Sequence, residues 1–233
     1  MEINPVAYIH TDFKEKFGIP RQSGRVKSLL GYVVFEPKYR NPDAVRGIED
    51  FSHLWLLFEF HKAKREKESL TVRPPRLGGN ERVGVFASRS PYRPNPIGLS
   101  CVKLERIEHI EKYGDILVVS GIDILDKTPI YDIKPYLPYS DAITDAKGSY
   151  GEEMKNHSLN VEFKEELLNL IPKEKQDALI SCLKDDPRPA YHTDIRKYSM
   201  AFGEYDVHFI VEGNNLKVLD VDEKMKGEVY ELY

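Results

Sequence analysis

Long hydrophobic runs are missing from this 233-residue chain. The most apolar stretch, Leu54 to Phe60, is interrupted by Glu59 and falls far short of the roughly 20 apolar residues that cross a bilayer. Residues Met1 to His10 lack the basic start and apolar run of a secretory signal. Both absences point to a cytosolic protein with no membrane contact. Cysteine is scarce too. Cys101 and Cys182 lie far apart, which argues against a disulfide framework or a CxxC metal knuckle and leaves both as small apolar residues.

Several catalytic signatures are also absent. No G-x-G-x-x-G turn occurs, so a cofactor would bind by a route other than the dinucleotide fold. Gly79 and Gly84 have the spacing of a phosphate loop, but Val85 and Phe86 follow where Lys and Ser or Thr would be needed. The seven histidines form no H-E-x-x-H or paired-ligand pattern, and Ser88, Ser90 and Ser100 lack the G-x-S-x-G elbow. Nucleotide triphosphatase, metal-hydrolase and serine-hydrolase chemistry all fall away.

What is present is a globular composition, with 41% apolar, 31% charged and 11% aromatic residues, enough to offset the ordering entropy of a core. Net charge is −4, which argues against nucleic acid, but its distribution argues the other way. From Arg73 to Arg93 five arginines (73, 76, 82, 89 and 93) oppose the single acid Glu81, a local +5 − 1 = +4. Such a basic patch is the footprint of a phosphate-bearing partner.

Short β-rich runs separated by turn residues fill the first part of the chain: Val6–Ile9, Leu29–Phe35, Leu54–Phe60, Val83–Ala87, Ile97–Leu104 and Ile116–Ile122. No helices alternate with them, which favours an antiparallel barrel over a parallel sheet. One helical turn is expected near Asn41 to Asp50, with Asn41 capping and Pro42 opening it. Helical spacing appears at Phe163–Leu170 and Pro172–Leu183. Strands are expected at Lys197–Ala201, Tyr205–Val211 and Leu216–Val221, the last two joined through Gly213-Asn214-Asn215. The expected architecture is mainly β, with a barrel domain over 1–146 and a smaller α+β domain over 147–233, divided in the polar stretch Ala146 to Asn156.

The densest motifs are Val72-Arg-Pro-Pro-Arg-Leu-Gly-Gly79, Gly84-Val-Phe-Ala-Ser-Arg-Ser90 and Arg93-Pro-Asn-Pro-Ile-Gly98. Proline and glycine stiffen such loops and let the backbone come close, while arginine offers a planar fork to phosphate, carboxylate or a base. With Pro20-Arg21-Gln22, Asp43-Ala-Val-Arg-Gly47, Phe51-Ser-His-Leu-Trp55, Phe60-His61, Asp123-Ile-Leu-Asp126, Asp132-Ile-Lys-Pro-Tyr136 and Asp186-Pro-Arg-Pro-Ala-Tyr191, the chain resembles the TsaA-like family. That family includes methyltransferases acting on adenosine in tRNA.

The resemblance implies a single-sheet β-barrel that binds S-adenosylmethionine, a small C-terminal domain that helps bind tRNA, and a homodimer. It implies methyl transfer to the exocyclic nitrogen of threonylcarbamoyladenosine beside the anticodon. Carried across, the donor pocket comprises Pro20, Arg21, Gln22, His61, Lys62, Arg89, Leu99, Asp123, Ile124, Leu125 and Asp126. Asp132 is expected to accept or orient the proton, with Lys134 and Tyr136 placing the base; an ion pair between Asp132 and Lys134 is the plain alternative. Anticodon-loop bases and phosphates are expected to meet Arg73, Arg76, Tyr92, Arg93, Asn95, Arg188 and Tyr191. Two other readings stay open on the residues alone: a non-catalytic RNA-binding regulatory module, and a methyltransferase of a small metabolite.

Overall fold

The computed structural model describes residues 2–63, 69–74, 81–148, 157–189 and 194–224. Six antiparallel strands close into a barrel in the order β1-β2-β7-β6-β3-β8: β1 (Ala7–Thr11), β2 (Leu30–Phe35), β3 (His53–Glu59), β6 (Ile97–Ile110), β7 (Gly114–Ser120) and β8 (Thr128–Pro135). A two-stranded ribbon, β4 (Thr71–Val72) with β5 (Val83–Gly84), stands beside it. The chain is mainly β, as the absence of alternating helices implied.

The strands form because their side chains alternate. In β3 the residues Leu54, Leu56 and Phe58 are buried inside the barrel, while His53, Trp55, Leu57 and Glu59 are partly exposed outside it; each inward side chain contributes roughly 1.5–3 kcal/mol through burial. Strand β6 is long enough to pair with β3 in its first half and β7 in its second, and a bulge between Leu104 and Arg106 bends it between the two partners. Gly98 faces Phe58 so closely that a Cβ there would lie 2.3 Å from the ring.

Strand β8 closes the barrel and was not anticipated, because Pro129, Pro135, Asp132 and Lys134 make it read as a loop. A bulge opposite Leu57 and Phe58 lets Ile130 and Ile133 stay on the core side with Tyr131 and Asp132 between them. The expected strand Val83–Ala87 shrinks to two residues, followed by a 3-10 turn over Val85–Ala87. The helical turn expected at Asn41 appears as a 3-10 turn, Pro42–Ala44, and Asn41 Oδ1 accepts the Asp43 N–H at 3.0 Å.

Beyond the barrel come α1 (Pro138–Asp141), β9 (Asn160–Glu162), α2 (Glu165–Leu168), α3 (Lys173–Lys184), β10 (Tyr198–Phe202), β11 (Tyr205–Glu212) and β12 (Asn215–Glu223). The last strands form a sheet ordered β10-β11-β12-β9, with β9 parallel to β12. Pro172 caps α3 instead of opening it, and the helix at Phe163–Leu170 is limited to one turn. The barrel and this sheet share one apolar core: Phe13 meets Phe202 edge-on at 5.8 Å, and Phe17 stacks on Tyr198 at 6.1 Å.

Candidate active site at the mouth of the barrel

In an antiparallel barrel, alternate connections emerge at the same end. Here the connections 12–29, 60–96 and 121–127 all leave one mouth, because β1, β3 and β7 end there and β2, β6 and β8 begin there. Those three connections carry every donor residue implied by the resemblance except Leu99, which stands three residues into β6.

Asp123 is the polar centre of the mouth. Its Oδ1 accepts the Ser100 hydroxyl at 2.5 Å, and the Ser23 N–H and the Arg89 guanidinium also face it. Burial against the barrel core pushes its carboxyl up to about 6, although these donors pull the other way. Arg89 Nη1 donates to Gln22 Oε1 at 2.6 Å, and the Gly24 N–H reaches the Gly121 carbonyl at 2.8 Å. Connections 12–29, 60–96 and 121–127 are thus latched to one another around a carboxylate and an exposed guanidinium.

The rest of the 121–127 turn is structural. Ile124 and Leu125 are buried in the core, and their carbonyls accept the hydroxyls of Thr11 at 3.1 Å and Thr128 at 2.7 Å. Asp126 accepts the Thr11 N–H at 3.0 Å and lies 3.5 Å from His10 Nδ1; burial would raise its carboxyl, but His10 and the Thr11 amide hold it below the ordinary value. His61 Nδ1 lies 3.3 Å from Thr128 Oγ1, and burial followed by the Lys62 charge lowers its pKa, which favours the neutral ring. Lys62 is exposed and its carbonyl takes Lys16 Nζ.

Leu99 differs from the others. Its side chain points outward, 52% exposed, while neighbouring Ser100 points inward to Asp123. Strand β7 joins β6 only from Lys103, so the second edge of β6 is uncovered by β7 between Ile97 and Val102. The pairing alternation, framed by the bonds Phe60 N–H to Pro96 and Leu104 N–H to Ser52, turns the Leu99 backbone toward that uncovered edge.

The expected catalytic trio is not gathered at the mouth within one chain. Asp132 and Lys134 lie on the outer barrel face, opposite Leu57 and Trp55, and Tyr136 follows beyond the strand, its N–H bonded to the His53 carbonyl at 2.9 Å. Asp132 and Lys134 form a half-exposed ion pair at 2.8 Å, the plain alternative for this carboxylate, and the Tyr136 ring leans on Trp55 at 5.7 Å. Beside them the outer face of β6 and β3 carries an apolar strip between Glu59 and His53: Ile97 and Leu99 are exposed and Leu57 and Trp55 partly so.

Of the expected RNA contacts, Arg73 and Asn95 are exposed, and Tyr92 is partly exposed with Lys16 Nζ 5.9 Å from its ring centre. Arg93 Nη1 binds the Ser88 carbonyl at 3.1 Å and braces its own turn. Arg188 is committed internally: its Nε and Nη2 grip Asp186 at 2.8 and 2.9 Å, with the side chain 12% exposed. Arg76 and Tyr191 lie outside the described residues. Sequence reasoning overlooked Ser100, a polar residue at an inward position of β6, which the two-residue period flags as unusual. Phe86 is 78% exposed between Arg82 and Arg89, where the apolar run reads as a strand but forms a 3-10 turn.

A family description of the tRNA-methyltransferase O N-terminal domain matches residues 8–142, and that of the TrmO C-terminal domain matches residues 156–224. The chain belongs to the tRNA-methyltransferase O family. Within that family, the Escherichia coli (strain K12) protein named tRNA (adenine(37)-N6)-methyltransferase is 44% identical over 196 residues, covering 82% of this chain and 83% of the relative. A Pseudomonas aeruginosa protein named as a putative S-adenosylmethionine-dependent methyltransferase is 41% identical over 229 residues, or 94% of this chain and 96% of the relative. The crystal structure of TrmO from P. aeruginosa superposes with a TM-score of 0.77 at 35% identity, covering 96% of this chain and 97% of that one. The TrmO barrel and its C-terminal unit are therefore both present in this chain.

Proposed function

We propose that this protein methylates the exocyclic nitrogen of threonylcarbamoyladenosine at position 37 of tRNA, beside the anticodon, using S-adenosylmethionine. The relatives' names carry the reaction class, and the convergence of Arg89, Gln22 and Asp123 at the mouth carries the donor site. The residues fit such a donor. Its methionine end brings a carboxylate for a guanidinium, its ribose brings hydroxyls for a carboxylate, and its adenine edge suits an uncovered strand edge.

When bound, the donor supplies an electrophilic methyl group on a sulfonium. Arg89, with Nη1 on Gln22, would offer its remaining guanidinium donors to the methionine carboxylate. Asp123 would take ribose hydroxyls, and the uncovered Leu99 backbone would hold the adenine edge. Positioning of this kind makes a bimolecular step effectively unimolecular, worth up to roughly 7–11 kcal/mol. The attacking nitrogen loses a proton, for which Asp132 is the acceptor, oriented by Lys134 while Tyr136 places the base.

In one chain Asp132 and the mouth lie on different faces, so the reading includes a homodimer in which the apolar outer strip of one protomer covers the mouth of its partner. Ile97, Leu99, Leu57 and Trp55 form an apolar strip bordered by Glu59, Asp132 and Lys134, an apolar centre with a polar rim as expected of an interface. Anticodon-loop bases meet Arg73, Tyr92, Asn95 and Phe86 by stacking and phosphate contacts, with help from the C-terminal unit. No helix among the described residues is long and apolar enough to cross a membrane; a tRNA substrate supports a cytoplasmic location.

The direct test is nucleoside mass spectrometry of tRNA bearing threonylcarbamoyladenosine after incubation with the protein and methyl-labelled S-adenosylmethionine. Label on that nucleoside is the expected result. Donor binding without label on tRNA would move the reading to a small-metabolite methyltransferase, and RNA binding without donor binding would move it to a regulatory module.

A further inference from the structure

The loop that carries Pro20, Arg21 and Gln22 is held from behind by the C-terminal unit. Arg21 Nη2 donates to the carbonyl of Arg188 at 2.5 Å and more weakly to that of Asp186 at 3.5 Å. Four residues later, the Arg25 guanidinium pairs with the Asp185 carboxylate. At the start of the loop Asp12 pairs with Lys175 at 2.6 Å, and its carbonyl accepts the Gly203 N–H at 2.7 Å. Gly18, at φ 93°, sits so near β10 that a Cβ would lie 2.4 Å from Met200 Sδ. The loop leaves the barrel and returns to it, but between those points it is anchored on the other unit.

The anchoring corner has a conformation of its own. Asp186 follows α3 at φ 55°, in the left-handed region that ordinary side chains seldom adopt. Its carboxylate takes two nitrogens of Arg188 and His157 Nε2 at 3.1 Å; burial would raise this carboxyl, yet Arg188 and His157 hold it below the ordinary value. That clasp curls the chain so that the Asp186 and Arg188 carbonyls converge on Arg21. A strained residue fixed by three charge-assisted bonds signals a constraint on what it presents.

We propose that the Asp185-Asp186-Pro187-Arg188 corner is a positioning element for the methyl donor, setting donor affinity from the C-terminal unit. The connection to the pocket is continuous: the corner holds Arg21, the adjoining Gln22 holds Arg89, and Ser23 N–H meets Asp123. Arg188 is in this assignment a positioning residue, with Nε and Nη2 of its guanidinium committed to Asp186. The inference rests on the donor pocket proposed above. It also gives the unit expected to help bind tRNA a mechanical hold on the pocket where the donor sits.

The test uses the full chain, with calorimetry of S-adenosylmethionine binding and separate KM values for S-adenosylmethionine and tRNA. Asp186→Asn keeps the side-chain shape and tolerates the left-handed backbone while removing the charge that clasps Arg188. The expected result is about a tenfold rise in the donor dissociation constant and donor KM, within the range by which remote packed residues modulate binding, with tRNA KM and kcat unchanged. Arg25→Gln, at an independent anchor, raises the same two constants, and Arg25→Lys restores most of the loss. Unchanged donor affinity in Asp186→Asn or, where that variant does not fold, in Arg25→Gln overturns the proposal. So does a rise in tRNA KM alone, which assigns the corner to RNA phosphate. Failure of the unsubstituted protein to bind S-adenosylmethionine would instead remove the pocket itself.

Discussion

The barrel presents two polar groupings, and they are built differently. At the mouth, Arg89, Gln22, Asp123, Ser100 and Ser23 are joined across three connections, and the central carboxylate is desolvated enough to titrate near 6. On the outer face, Asp132 and Lys134 form a half-exposed ion pair on a single strand, with apolar Leu57, Trp55 and Leu99 nearby. The mouth is organised within one chain. The outer face has the side chains of a site but no enclosure, and exposed ion pairs of this kind contribute little to stability. In the proposed homodimer this face would be completed by the mouth of the partner.

The comparison is tested most severely by exchanging function between protomers. Asp132→Asn should lower kcat by about a hundredfold or more, the ordinary worth of a positioned proton acceptor, with donor affinity intact. Unchanged turnover in a folded variant removes Asp132 from catalysis. Arg89→Ala should weaken donor binding by roughly a hundredfold through loss of a charge-assisted pairing, with circular dichroism unaltered; normal calorimetric affinity would exclude Arg89 from the pocket. Mixed after joint refolding, the two inactive proteins should recover activity, because a hybrid dimer pairs an intact mouth with an intact outer face. Mixtures as inactive as their components would place both groups in a single-chain site.

The smallest expected effect is a pH dependence at the mouth. Burial raises the Asp123 carboxyl from its ordinary 3.8 to about 6, so donor binding that uses the carboxylate is full above that pH and falls about tenfold per unit below it. The folding contribution runs in the opposite sense. Keeping this group ionised costs stability that sets in as pH rises from 3.8 towards about 6 and is fully present above. Asp123→Asn should flatten both profiles, as read by calorimetry and by denaturant unfolding across pH. An acid limb that survives the substitution would assign it to another group.

Much of the cluster at the mouth was legible because its motifs are local and chemically unusual. Pro20-Arg21-Gln22, Arg89 and Asp123 stand out as polar or stiff residues in loops, and period-two alternation exposed β3 and most of β6. Strand β8 was hidden because prolines and charges in a strand read as a loop, and only its neighbours β1 and β3 supply the pairing that makes it a strand. Phe86 was hidden for the opposite reason: an apolar run reads as buried, yet a 3-10 turn puts this side chain outside. Arg188 looked like a phosphate ligand, since nothing in its own stretch of chain reveals that Asp186 adopts a left-handed backbone and captures it.

The sequence by itself determined the mainly β character and the antiparallel barrel, which follow from side-chain periodicity, and its short motifs carried the family resemblance that pointed to the residues at the mouth. Tertiary structure alone decided which groups meet. It set Ser100 against Asp123, turned Leu99 and Asp132 to the outside, and tied Arg21 to a corner 165 residues further along the chain. The reason is that strand register and loop docking are long-range choices, made by the packing of the whole core and invisible to any short stretch of chain.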